Sequence, residues 1–251
     1  MLLKDLNAQF FRGVLVITEK NIKIYYTKAP VLIFGLLFPL FLFLAFYLGR
    51  KIDLCSFFPG FLAMSLFFTA SAVGPLITPW EKQAGTYERL LSFPVNINTI
   101  ILGDTAAGMI FGIFISVAIL IVGMTFLSLK VNLFFLILGT LLASFCFSSL
   151  GALLASPSAR APSHIMMLSS LVRFPLIFIS GIFIPLGNLQ GVGKAVSCLS
   201  PITYLVDIFH LGFEDKSFIS PVVDFMALVA FSIVFISLSN RFHRRNLIKG
   251  L

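Results

Sequence analysis

The sequence predicts an all-α integral membrane protein with six transmembrane helices, and three observations predict it. Hydrophobic residues fill 59 % of its 251 positions and charged residues only 11 %, where a soluble domain carries roughly 25 % charged residues. One soluble core of this size cannot hide so much apolar surface, and in a bilayer only helices or closed barrels satisfy every backbone group. The apolar runs are continuous over about 18–23 residues and do not alternate with polar positions, which selects helices. The net charge of +8 gathers at the ends of these runs. That placement suits membrane topology and contact with anionic headgroups, not nucleic acid.

Residues 2–28 precede the first span. Leu3, Leu6, Phe10, Ile17 and Ile24 recur at helical spacing, with Val14 close to the same face. Lys4, Arg12, Lys20 and Lys23 lie largely elsewhere, and Glu19 can pair with Lys23 one turn on. The pattern predicts an amphipathic helix lying in the membrane interface. No cleavable signal segment is evident ahead of it.

The first span is expected over about 30–48, with Pro30 in its first turn and Pro39 as a kink. Arg50, Lys51 and Asp53 form a polar turn. The second span is expected over about 57–78, weakened by Gly74 and Pro75 and ended by Pro79. The polar segment 80–95 follows, with Glu81, Lys82, Glu88 and Arg89 close together and a short helix opening near Gly85-Thr86 and closing at Pro94. The third span, about 100–129, is long enough to tilt or protrude, and carries Gly108-x-x-x-Gly112, which admits a close helix neighbour.

Lys130 and Asn132 mark a short turn before the fourth span, about 133–155. A loop twice broken by proline, 156–163, leads to the fifth span, about 164–184, interrupted by Arg173 and Pro175. The segment 185–220 is too polar to span and too apolar for a simple loop. Short helices are expected over 188–199 and 203–211, separated by Ser200-Pro201. The sixth span is expected over about 221–238, with Ser220 as N-cap, Pro221 in the first turn and Asp224 near the positive end of the helix dipole. A basic tail, Arg241 to Arg245, follows.

With an even number of spans, the leading helix, the 80–95 segment, the 156–163 loop and the tail share one side. They hold most of the 18 Lys and Arg residues, which predicts a multi-pass protein of the cell (inner or plasma) membrane with both termini cytoplasmic. The segment 185–220 is then external.

No catalytic constellation is present. His164, His210 and His243 stand far apart, and Cys55, Cys146 and Cys198 lack metal-ligand spacing. Cys55 and Cys198 share the predicted outer side, where a disulfide is open to them, but two separate thiols are the reading taken. Gly191-Val192-Gly193-Lys194-Ala195 lacks the first glycine and the Ser or Thr of a phosphate loop. The chain therefore binds no nucleotide, cofactor or metal by any motif it carries. Two ionisable groups fall inside the slab, Arg173 near mid-depth and Asp104 near one end of the third span. With Pro175 they form a candidate translocation path, in which Arg173 pairs with Asp104 or lines a polar route. The acids and broken-helix ion sites that ion-coupled transporters place at mid-membrane are missing. Energy is expected from a soluble partner docking on the 80–95 segment through its charges and through Leu90, Leu91 and Phe93.

The run Glu81-x-x-x-Gly85-Thr86-x-Glu88-x-Leu90-Leu91-x-x-Pro94-Val95, between the second and third of six spans, resembles the coupling-helix region of ABC type-2 exporter permeases. Ser180-Gly181-Ile182-Phe183-Ile184-Pro185-Leu186-x-x-Leu189 and Ser200-Pro201-Ile202-Thr203-Tyr204-Leu205-Val206-Asp207 resemble the family's segment after the fifth span and its external motif. The resemblance extends over essentially the whole chain. It implies a membrane half-transporter that joins a second copy or a paralogous permease, sits among membrane lipids, and is driven by separate cytoplasmic ATPase subunits holding ATP and magnesium. It gives Glu81, Gly85, Thr86, Glu88, Arg89 and Leu90 to ATPase coupling, and Ser180, Gly181, Pro185, Pro201, Tyr204 and Asp207 to an external motif. His210 stands where the family often has a basic residue three after the aspartate, which makes any ion pair there pH-sensitive. The implied function is outward movement of an amphipathic or hydrophobic molecule, such as a drug, lipid or glycan-lipid. The competing readings are an ATPase-linked membrane scaffold and an ATP-independent secondary transporter.

Overall fold

A computed structural model describes residues 2–25, 33, 37–49, 54–93, 95–127, 131–157, 162–184, 186–188, 191–214 and 217–248. Every regular element among them is helical. In chain order these are α1 (Leu2–Tyr25), α2 (Phe38–Gly49), α3 (Leu54–Gln83), α4 (Thr86–Ser92), α5 (Ile97–Leu127), α6 (Leu133–Leu154), α7 (Pro162–Phe178), α8 (Val192–Ser197), α9 (Pro201–Glu214) and α10 (Pro221–Ile248), with one tight turn over Leu186–Asn188. The expectations placed on Pro30, Arg50, Lys51, Asp53, Pro94, Lys130, Pro185 and Leu189 lie outside the described residues.

Among the described residues, four helices, α3, α5, α6 and α10, are long and apolar enough to cross a membrane. α7 is apolar but shorter, at 17 residues, or about 25 Å at 1.5 Å per residue. α2 has 12 residues, and the chain ahead of it is largely outside the described residues.

α3 is the axis of the fold. Its apolar stretch is wholly buried, and α2, α4, α5, α6, α7 and α9 all pack on it. Leu62, Leu66 and Phe67 of α3 meet Phe147 and Leu150 of α6 and Leu205 and Phe209 of α9 in the main core. Phe67 and Phe147 meet edge to face, ring centroids 5.1 Å apart, the geometry aromatic quadrupoles favour. In a bilayer the apolar effect does not drive helices together, so close contact and interhelical hydrogen bonds must. The Ser148 hydroxyl of α6 donates to the Thr105 carbonyl of α5 at 2.7 Å. The Gly108-x-x-x-Gly112 pair lets α5 touch α3: a Cβ on Gly112 would lie 2.9 Å from the Ala70 Cβ.

The second span does not end at Pro79. α3 runs through Pro59, Pro75 and Pro79 to Gln83, so Trp80 to Gln83 are its last turn. Proline frees the carbonyl four residues earlier, and the packing absorbs that loss. Ser71 is the residue four before Pro75, and its carbonyl oxygen lies 2.8 Å from where a Cβ on Gly151 would be. The freed oxygen thus faces the bare Cα of a glycine on α6, where a weak C–H donor is available.

Three other boundaries differ from expectation. α7 passes through Arg173 and Pro175 without interruption and stops at Phe178. α10 continues through the basic tail to Ile248. The segment 185–220 carries α9, which is no surface helix: Ile202, Leu205, Val206, Ile208 and Phe209 are all buried, and α9 packs on α3, α6 and α10. Cys146 and Cys198 are free thiols.

Candidate coupling and binding sites

The charged segment of the sequence divides into a buried half and an exposed half. α3 ends in Glu81, Lys82 and Gln83. The chain then turns on Gly85, whose φ of 67° and ψ of 11° lie in the left-handed region that glycine enters without a Cβ penalty. α4 begins immediately, and the Thr86 hydroxyl donates back to the Glu81 carbonyl at 3.1 Å. Tyr87 is the anchor of α4, 2 % exposed and packed with Ile17 of α1 and Ile100 of α5, with Leu90 and Leu91 at the margin. Lys82 Nζ stands 5.4 Å above the Tyr87 ring, in cation–π range. Burial, then the nearby carboxylates Asp104, Glu81 and Glu88, push the Tyr87 phenol above its usual range. Glu88 and Arg89 are exposed, and Phe93 is 63 % exposed.

Glu81 is not on this exposed face. It is buried and paired with Lys20 of α1. One residue on, Asn21 donates through Nδ2 to Asp104 Oδ1 at 2.7 Å, and Thr78 of α3 donates to Asp104 Oδ2 at 3.2 Å. Thr18 donates to the Gly103 carbonyl at 3.1 Å. α1, α3, α4 and α5 therefore meet in one polar knot.

Asp104 belongs to this knot and not to a path with Arg173. Its two oxygens are taken by Asn21 and Thr78. No hydrogen bond or ion pair joins it to Arg173 among the described residues. Arg173 sits on α7, 4 % exposed. Its Nε reaches the Ser169 carbonyl at 3.4 Å, and its guanidinium carbon lies 5.9 Å above the Phe68 ring. Pro175 is on the exposed side of α7.

The external-motif residues form a third group. Ser180 is buried and donates to the Ile177 carbonyl at 2.6 Å, and Gly181 turns the chain with φ 82°. Pro201 opens α9 and is buried. The Tyr204 hydroxyl donates to the Cys198 carbonyl at 2.9 Å. Asp207 accepts from the Phe218 and Ile219 amides, both at 2.9 Å, and from the Ser217 hydroxyl at 3.0 Å, so it caps the chain entering α10. His210 faces Glu214 at 3.5 Å. Among the described residues no cluster suits a metal.

Sequence reasoning missed Thr18, Asn21, Thr78 and Tyr87. Asn21 was the accessible signal: it follows Ile17 by one turn, and so is a polar residue on the apolar stripe of an amphipathic helix.

Compared with known proteins, residues 12–213 match the family described as "ABC-2 type transporter". The chain is similar to the inner membrane transport permease YadH of Escherichia coli (strain K12), 28 % identical over 177 residues, which cover 70 % of this chain and 69 % of the relative. It is also similar to the putative transport permease ycf38 of Cyanophora paradoxa, 28 % identical over 236 residues, which cover 84 % of this chain and 77 % of the relative.

Proposed function

The chain belongs to the ABC-2 type transporter family, and from that premise we propose that it is the permease subunit of an exporter, driven by ATP hydrolysis in a separate ATPase subunit that holds the ATP and magnesium. It is a membrane permease of an ABC transporter, and an ABC ATPase partner follows from that membership in general. The proposal adds outward direction, an amphipathic or hydrophobic substrate, six spans with cytoplasmic termini, and assembly with a second permease copy or paralogue.

One observation supports the coupling role most directly. α4 offers Glu88 and Arg89 outward, with Phe93 just past its end, while Tyr87 and Thr86 hold its inner side to α1, α3 and α5. A partner that grips the outer residues moves a short rigid element, not a loose loop. The force passes through Thr86 into α3 and through Tyr87 into α1 and α5.

Co-expression with the ATPase tests this reading. The assembly should co-purify, and amphiphile should stimulate ATP hydrolysis in proteoliposomes. Glu88→Lys should reverse one exposed charge and reduce the co-purified ATPase several-fold, without affecting membrane insertion. Wild-type levels of co-purified ATPase with Glu88→Lys would remove α4 as the docking element. Co-purification without stimulation by any substrate would instead favour the scaffold reading.

A further inference from the structure

We propose that Arg173 binds the anionic group of an amphiphilic substrate, with the Phe38, Phe68 and Phe174 rings receiving its apolar part. This rests on the permease reading and names the substrate's charge class.

A guanidinium stays protonated in a protein, and a buried cation without a counter-charge is costly in an apolar surround. Arg173 is 4 % exposed, and its Nη1 donor has no partner. Among the described residues no carboxylate forms an ion pair with Arg173. Glu19 pairs with Lys23, Glu81 with Lys20 and His210 with Glu214. Asp104 is held by Asn21 and Thr78, and Asp207 by residues 217–219. Asp224 lies beside Asp207, and Glu88 is exposed on α4. None reaches Arg173 among the described residues.

Snorkelling does not explain the position. The nearer end of α7 is Phe178, five residues on. Side chains on a helix lean toward its N-terminus, and Arg173 does so, with Nε at the Ser169 carbonyl. The charge is therefore turned toward the middle of α7, away from the nearer end.

What surrounds the charge suggests its occupant. The Ser169 hydroxyl, one turn before Arg173, is buried without a partner, as is the Ser65 hydroxyl of α3. Ser65 precedes Phe68 by three residues and so shares its side of α3. The three rings form one cluster: Phe38 and Phe68 centroids are 4.8 Å apart, Phe38 and Phe174 5.4 Å, and Phe68 and Phe174 6.2 Å. A forked cation, a spare donor beside it and an aromatic wall fit a phosphate, sulfate or carboxylate on an apolar body.

The test uses the permease with its ATPase in phosphatidylcholine nanodiscs. Dodecyl phosphate, dodecyl maltoside and inorganic phosphate are the probes, and binding is read directly. Wild type should hold dodecyl phosphate on the order of tenfold more tightly than dodecyl maltoside, the difference one charge-assisted contact typically makes. Arg173→Met should erase the preference, and Arg173→Lys should retain part of it. Arg173→Met leaves no partner unpaired, so its melting temperature without ligand should equal or exceed that of wild type. If it is not monodisperse, Arg173→Gln replaces it.

Equal binding of the charged and neutral probes by wild type overturns the proposal, as does a preference that survives Arg173→Met. Equal binding of inorganic phosphate overturns the amphiphile class. Loss of dodecyl phosphate binding when phosphatidylglycerol replaces phosphatidylcholine assigns the site to bulk lipid and also overturns it. Binding requires no ATP turnover, so failure of the permease reading shows separately, as an ATPase that neither co-purifies nor responds to amphiphile.

Discussion

Lys20 and Glu81, 61 residues apart in the chain, close an ion pair that ties α1 to the last turn of α3. The Glu81 side chain is 5 % exposed and that of Lys20 27 %, so water weakens the pair less than it would a surface contact. Lys20→Ala and Glu81→Ala should each lower the melting temperature in detergent. A double-mutant cycle should return a coupling of about 1–3 kcal/mol. A coupling near zero would mean that α1 is held by its apolar contacts alone.

Tyr87 should be the most costly residue of α4 to lose. Tyr87→Ala removes a ring buried between α1 and α5 and should cost about 3–5 kcal/mol, with loss of ATP-driven activity. Tyr87→Phe keeps the ring and should retain most of both. The phenol also predicts an alkaline effect. Its folded pKa lies above the unfolded value, so the neutral form's contribution is complete below about pH 10 and falls as pH rises past it. Unfolding curves at pH 9 and pH 11 should show wild type losing more stability over that interval than Tyr87→Phe. Parallel losses would count against the buried phenol.

Two glycines should fail for different reasons. Gly85→Ala forces a Cβ into the left-handed region and should cost about 1–2 kcal/mol. Gly151→Ala places a methyl 2.8 Å from the Ser71 carbonyl, which the backbones of α3 and α6 cannot both relieve, and should cost about 1–3 kcal/mol. Gly151→Ala should also reduce the yield of folded protein more than Gly85→Ala. The reverse order would mean that α3 and α6 separate easily.

Asp207 serves the entry to α10. Asp207→Ala leaves the part-buried amides of Phe218 and Ile219 without their acceptor, at about 0.5–1.5 kcal/mol for each hydrogen bond lost. Hydrogen exchange at these two amides should accelerate, with α5 unaffected. Unchanged exchange would mean that water replaces the carboxylate.

Much of this fold was readable because a bilayer forces long apolar helices, and their limits follow from polar turns. The course of α5 and α6 emerged from continuous apolar runs, and the short helix after Gly85 from its turn chemistry. Pro79 misled because a packed helix can run through proline: the Ser71 carbonyl that Pro75 frees lies against Gly151 of α6, and α3 continues past Pro79 to Gln83. Glu81 and Glu88 look alike in sequence, yet one is buried against Lys20 and the other faces outward. Only the crossing of α1 over α5 distinguishes them, and that crossing depends on contacts between residues some 80 positions apart, such as Asn21 and Asp104.

The complete enclosure of α3 also constrains how the protein is made. Most of the helices that cover α3 are translated after it: α5, α6, α7 and α9 all lie further along the chain. Newly inserted α3 therefore meets lipid on faces that end against protein, with Ser65, Thr69, Ser71 and Thr78 among them. Thr69 and Ser71 turn their hydroxyls back onto their own helix, to the carbonyls of Ser65 and Phe67, so these two hydroxyls are satisfied before any other helix arrives. Its final packing is a late, post-insertional event, completed only when α6 and α9 have been delivered.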